Sequence, residues 1–207
     1  MIIISPIKDE ENFSYSTVVT YPKTTQISHG VYDNKIDMVN MITMIRSNIV
    51  SRDLTNVKGG KTEWEYFNDK EESKKFLEYV LKKHRDINPL FQKENAYVNR
   101  FRIQAWGNEL VKGEYVAMHT HPCHHIILYL TEGSPLLVPE LKITIKPQVG
   151  SYYIFEPGIL HGVPEVTDDS VRYNLVMNIF LGPDWETRHK INKIKDKLLN
   201  NKKEKIK

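Results

Sequence analysis

The chain has 207 residues, 40% of them hydrophobic, and a formal net charge of only +3. That is enough apolar material for one ordinary core and too little charge for the broad basic footprint of a nucleic-acid binder. The single Cys123 excludes an internal disulfide, the opening Met-Ile-Ile-Ile-Ser-Pro is too short for a signal peptide, and no apolar run is long enough to span a bilayer, so a cytoplasmic protein without a membrane partner is expected.

Tyr15 to Tyr21 is β-branched and aromatic and predicts a strand. Asp33 or Asn34 can cap a helix over about 36–50, where Ile36, Val39, Met41, Ile42, Ile45 and Ile49 recur near the helical period. Gly59-Gly60 predicts a turn leading into an aromatic segment at Trp64. A second helix is expected from Lys70 to His84, with Phe76, Leu77, Val80 and Leu81 on its apolar side, and Asn88-Pro89 stops it. From residue 96 the character changes. Strand-like segments run over Tyr97–Trp106, Tyr115–His121, Ile126–Thr131, Leu141–Lys146, Tyr152–Phe155 and Val171–Phe180, separated by Gly and Pro clusters. Short strands with regular turn signals predict a sandwich or barrel. Residues 186–207 read as a basic amphipathic tail, most simply a solvated helix or frayed terminus.

Five of the eight histidines lie between 119 and 161. Side chains two apart on a strand share a face, so His119-Thr120-His121 sets two imidazoles side by side. His161, forty residues on, can complete a three-coordinate pocket with open positions, which suits catalysis rather than a closed structural site. Imidazole accepts several first-row metals, so the ligand set fixes the site better than the ion. Pro122 interrupts the strand, so the facing of His124 and His125 is not readable. His124 is given no direct role; His125 could be a substitute ligand, an outer hydrogen-bond donor or an exposed turn residue. Cys123 sits at an odd offset from His119, and no orienting group for a Cys-His nucleophile is visible.

Two families with the double-stranded β-helix fold have this layout. The first motif of the cupins is similar to Gly113, His119, His121 and Gly133, and the second to Gly150, Gly158 and His161; His125 or Ile126 stands where their glutamate belongs, and Pro157 falls one place late. Residues 104–180 more closely resemble a branch of the Fe(II)/2-oxoglutarate oxygenases. The matching features are Trp106, Gly113, His119-Thr120-His121-Pro122, the strand Ile127-Leu128-Tyr129-Leu130, Pro157-Gly158-Ile159-Leu160-His161-Gly162-Val163, and Arg172 followed by Asn178. Gly59-Gly60-Lys61-Thr62 and Trp64 look like the N-terminal part of such proteins.

This resemblance implies a mainly β, double-stranded β-helix (jelly-roll, cupin-like) core over 96–182. An N-terminal extension over 1–95 would pack two flanking α-helices on it, and 183–207 would form the tail. It implies Fe(II) held by His119, His121 and His161, and 2-oxoglutarate as co-substrate, its far carboxylate bound by Arg172 through a planar guanidinium. Tyr129 could add a hydroxyl to that carboxylate, or belong to the core. The alternative for Arg172 is a surface pair with Asp168 or Asp169. Most such oxygenases use two histidines and a carboxylate; His121 occupies the carboxylate position here. The expected activity is a dioxygenase of hydroxylase type acting on an unread small-molecule or peptide substrate. A cupin metalloenzyme working without 2-oxoglutarate, or a non-catalytic binding module, is the alternative. A homodimer is left open.

Overall fold

A computed structural model describes residues 27–53, 57–84 and 102–180. Among these are two helices and eleven strands: β1 (Ile27–Val31), α1 (Lys35–Ser47), β2 (Ser51–Asp53), β3 (Val57–Lys61), α2 (Glu71–His84), β4 (Arg102–Leu110), β5 (Tyr115–His119), β6 (His124–Tyr129), β7 (Leu136–Val138), β8 (Ile143–Ile145), β9 (Ser151–Phe155), β10 (His161–Val163) and β11 (Arg172–Phe180). The strand expected at 15–21, the start of the one expected at 97 and the tail at 183–207 lie outside the described residues.

All the strand pairing is antiparallel, in the order β1-β9-β6-β11-β4-β3-β5-β10-β7-β8, with β2 on the free edge of β3. The order describes two sheets rolled onto each other, β9-β6-β11-β4 and β5-β10-β7-β8, joined where β3 pairs first with β5 and then with β4. This is the double-stranded β-helix that the turn signals and histidine motifs predicted.

The first sheet is buried on both faces, and alternation divides its residues cleanly. Tyr173, Leu175, Met177 and Ile179 of β11 point outward, with Ile126 and Leu128 of β6, into a core shared with the helices. There Met38, Met41 and Ile45 of α1 and Phe76 and Val80 of α2 repeat at three- and four-residue spacing. Arg172, Asn174, Val176 and Asn178 point inward, toward the second sheet. Leu110, Ile127, Tyr129 and Phe155 there meet Leu136, Val138, Ile145 and Val163.

Helix α1 starts where expected: the Asn34 side chain accepts from the Asp37 amide at 3.2 Å, and Tyr32 donates to the Asp37 carboxylate at 2.6 Å. Its apolar stripe is wider than its buried one, since Ile36 and Val39 face solvent. Helix α2 carries Glu71 and Glu72 in its first turn and Lys82, Lys83 and His84 in its last, matching the helix dipole.

Gly59-Gly60 is not a turn. The two glycines lie inside β3, where a side chain on Gly59 would collide with Leu110 and one on Gly60 with Ile49. Glycine is required here by close approach, which sequence alone reads as turn chemistry. The segment before residue 96 therefore supplies strands as well as helices: β1 extends the first sheet and β3 stitches it to the second. No helix among the described residues is long and apolar enough to cross a membrane.

Candidate metal centre

The three histidines converge. Their ligand atoms lie within 4.8 Å of one another. His119 ends β5 and His161 opens β10, and the two are directly paired across the second sheet. His121 lies two residues past the end of β5, so the expected strand over 115–121 stops short. It is held instead from the other motif: the Gly158 amide donates to the His121 carbonyl at 2.9 Å. Gly158 sits at φ +84, the left-handed region that favours glycine.

Backbone hydrogen bonds fix the tautomers. His119 Nδ1 donates to the Ala117 carbonyl at 2.8 Å and His161 Nδ1 to the Ile159 carbonyl at 2.9 Å. In each ring Nε2 is left as the bare acceptor, the arrangement that metal-binding imidazoles use. His119 Nε2 and His121 Nε2 face each other at 3.0 Å. Two nitrogens bound at right angles to one ion at ~2.1 Å stand about 3 Å apart. His161 Nε2 is buried and has no hydrogen-bond partner among the described residues. Burial lowers the pKa of all three rings, His121 to about 3 and His161 to about 4, so they are neutral at physiological pH, as ligation demands. The donor set fits a divalent transition metal.

Arg172 opens β11 on the same inner face and is only 1% exposed. Its Nε and Nη1 have no partner among the described residues. The surface alternative is excluded: Asp169 pairs with Lys112 at 3.1 Å and Asp168 accepts from the Ser170 amide at 2.9 Å. The Tyr129 ring lies 5.1 Å beneath the guanidinium, and its hydroxyl, near Arg172, makes no well-formed hydrogen bond among the described residues. Burial raises the pKa of that hydroxyl, against the pull of Arg172. His119, His121, His161 and Arg172 line one narrow cleft of about 50 Å³. A roomier apolar groove beside α1 and Val149 offers only Asp33 and Lys35 as charged groups. Convergent polar groups, not volume, mark the site.

His124 and His125 are neither exposed nor in a turn; both are buried in β6. His125 points inward and stacks on His121, centroids 3.8 Å apart and planes at 13°. Its Nδ1 donates to the Asn178 side-chain oxygen at 2.8 Å. His124, paired with Ile179, lies on the other face. The Cys123 thiol is buried and its pKa pushed up to about 12, so it is no nucleophile at neutral pH.

Sequence reasoning passed over four residues of the cleft: Lys61, Asn108, Asn174 and the cover residue Trp64. Asn108 donates to Asn174 at 3.1 Å across β4 and β11. A signal for the asparagines was present, since 172, 174 and 178 are polar positions at even spacing in an otherwise apolar strand. Lys61 and Trp64 were marked only by the resemblance of the 59–64 segment and could not be placed in the cleft, because the strand that holds Lys61 was read as a turn.

No protein-family model matches the chain, and no curated protein matches it. Solved structures do. A viral collagen prolyl hydroxylase from Paramecium bursaria Chlorella virus-1, in its 2OG complex, is 16% identical and aligns over 74% of this chain and 94% of its own, with a TM-score of 0.54. A Pseudomonas putida prolyl-4-hydroxylase is 13% identical over 75% and 92%, at 0.56. HygX from Streptomyces hygroscopicus, with nickel and 2-oxoglutarate bound, is 12% identical over 78% and 84%, at 0.55. At these identities the likeness is one of fold, and the chain has the double-stranded β-helix fold that these three structures share.

Proposed function

We propose that the protein is a non-haem Fe(II)- and 2-oxoglutarate-dependent dioxygenase, with His119, His121 and His161 as the metal ligands and Arg172 as the anchor of the co-substrate's far carboxylate. The observation that carries this reading is Arg172. A guanidinium buried without a counter-ion costs several kcal/mol. It is tolerated here in a cleft where three imidazoles converge, one of them, His161, with Nε2 unpartnered among the described residues. A small dianion with one end for the metal and one for Arg172 meets both demands. That one similar structure holds a metal with 2-oxoglutarate and two others are prolyl hydroxylases supports the same reading.

Each side chain then has a role. His119 and His161, locked by their Nδ1–H bonds, present Nε2 at fixed angles. His125 packs flat on His121 and, held by Asn178, limits its rotation. Arg172 meets the carboxylate through two parallel N–H donors, Tyr129 can add its hydroxyl, and Ile127, Val163 and Val176 keep water from the cleft wall. Fe(II) with 2-oxoglutarate and oxygen supplies oxidative decarboxylation to succinate and carbon dioxide, coupled to hydroxylation of a C–H bond. Three neutral imidazoles leave the metal's charge to be balanced by the co-substrate dianion.

Thermal denaturation of Ni(II)-loaded, untagged protein tests the reading. 2-Oxoglutarate at ~100 times its dissociation constant stabilises by about 2.7 kcal/mol. Arg172→Met abolishes this increment and keeps the one due to Ni(II). An unchanged increment in Arg172→Met contradicts the anchor, and none in the wild type contradicts the oxygenase reading. The all-imidazole ligand set favours one second reading, a cupin-type metalloenzyme that does not use 2-oxoglutarate. Succinate release under air separates the two.

A further inference from the structure

Charge counting in the cleft leaves one group over. None of its lining residues is acidic, and two of them are cationic, Lys61 and Arg172. If the proposed function holds, the two carboxylates of 2-oxoglutarate are used by the metal and by Arg172. The histidines are neutral. Lys61 is then the one basic group of the cleft with no buried anion assigned to it.

Lys61 closes β3, paired with Asn108 on one side and Ser51 on the other, and is only 2% exposed. Its ammonium lies over the Trp64 ring and 4.7 Å from the Trp106 centroid, to one side of two indoles packed edge to face at 4.7 Å. No carboxylate lies within ion-pair distance of it among the described residues, and the one that acts on it, Glu63, is exposed to solvent and only partly offsets the burial. Trp64 covers it from the solvent side and is itself 48% exposed. The neighbouring Asn108 side-chain oxygen is buried without a partner. Indole faces hold an ammonium but do not neutralise it. Burial accordingly lowers the Lys61 pKa to about 7, a state that an incoming anion would reverse.

We propose that Lys61, buried against Trp64 and Trp106 in the wall of the cleft, is the recognition point for an anionic group, carboxylate or phosphate, on the substrate. The co-substrate pole is Arg172 and the substrate pole is Lys61, with the three histidines lining the same cleft. This separates two anions that a single cationic site would confuse.

The test is equilibrium binding followed by tryptophan fluorescence, on protein saturated with Ni(II) and 2-oxoglutarate. The probes are benzoate, phenyl phosphate and the neutral benzamide. At least one anion is expected to bind with a dissociation constant on the order of 1 mM, at least tenfold more tightly than benzamide. Lys61→Met loses that preference, Lys61→Arg retains it, and both keep the wild-type thermal shift with 2-oxoglutarate. The preferred anion names the substrate class. Equal binding of anions and benzamide, no anion binding, or an unaltered preference in Lys61→Met overturns the proposal. Loss of the 2-oxoglutarate shift in Lys61→Met overturns it as well, by assigning Lys61 to the co-substrate. If the wild type shows no such shift, the oxygenase reading has failed, and the same comparison with Ni(II) alone decides the anion site by itself.

Discussion

Strand β11 is buried on both faces, yet the two faces behave differently. Outward, Tyr173, Leu175, Met177 and Ile179 fill a core closed by α1 and α2. Inward, Arg172 and Asn174 line a cleft, and Asn178 holds His125 at its wall. Among the described residues, buried polar atoms without a partner concentrate on the inward side: His161 Nε2, Tyr129 Oη, Asn108 Oδ1, and Nε and Nη1 of Arg172, against His84 Nδ1 under the helices. Burial alone therefore does not tell a core from a site. A folded chain leaves few such groups, and a cluster of them marks where a ligand supplies what the fold withholds. The outward face provides the stability that tolerates the inward one.

The comparison makes unequal predictions. Outward truncation has the largest effect: Phe76→Ala, at a fully buried position, costs ~3–5 kcal/mol in urea unfolding and leaves Ni(II) affinity of the folded protein unchanged. A matching loss of affinity would show that the faces are not separable. Inward changes reverse the sign. Lys61→Met exchanges a buried cation for an apolar side chain and raises the stability of ligand-free protein by ~1–4 kcal/mol.

The same residue sets a pH dependence. The folded pKa of Lys61 is about 7 against an ordinary 10.5. Above pH 7 the unfolded chain binds the proton that the folded protein has released, so stability rises with pH toward the ordinary lysine value. Between pH 7 and 9 the melting temperature of the ligand-free wild type climbs, and Lys61→Met flattens the slope. A climb of equal size in the variant would assign it to other groups.

Smaller still is Asn178→Leu, which frees His125 from its 2.8 Å hydrogen bond. It weakens Ni(II) binding by a few-fold, ~1 kcal/mol, in calorimetric titration. Smallest is Lys112→Ala on the outer surface. Lys112 and its partner Asp169 are both well exposed. Its loss costs under ~1 kcal/mol and leaves ligand binding untouched. A larger effect would extend the site beyond the cleft.

The parts of this molecule legible in the sequence are those with a local cause. Helices α1 and α2 follow from apolar spacing and an Asn34 cap. The barrel follows from short strands between Gly and Pro clusters. The pairing of His119 with His161 was foreshadowed by the H-x-H step and the Gly158 turn. What depends on distant neighbours was hidden. Gly59 and Gly60 look like a turn because the side chains that exclude a Cβ, Leu110 and Ile49, come from elsewhere. With β3 misread, Lys61 could not be placed beside Asn108. Pro122 hid the facing of His125, which only the register with Asn178 reveals. Arg172 was open to two readings, surface ion pair or buried anchor, and its burial and the separate partners of Asp168 and Asp169 remove the first.

The most direct test of the central claim is a crystal structure of the untagged protein grown with Ni(II) and 2-oxoglutarate, with anomalous data at the nickel edge. The account predicts one strong peak ~2.1 Å from Nε2 of His119, His121 and His161, with the far carboxylate of 2-oxoglutarate against Arg172. A peak at other residues, or three rings sharing no ion in crystals that contain nickel, would contradict it.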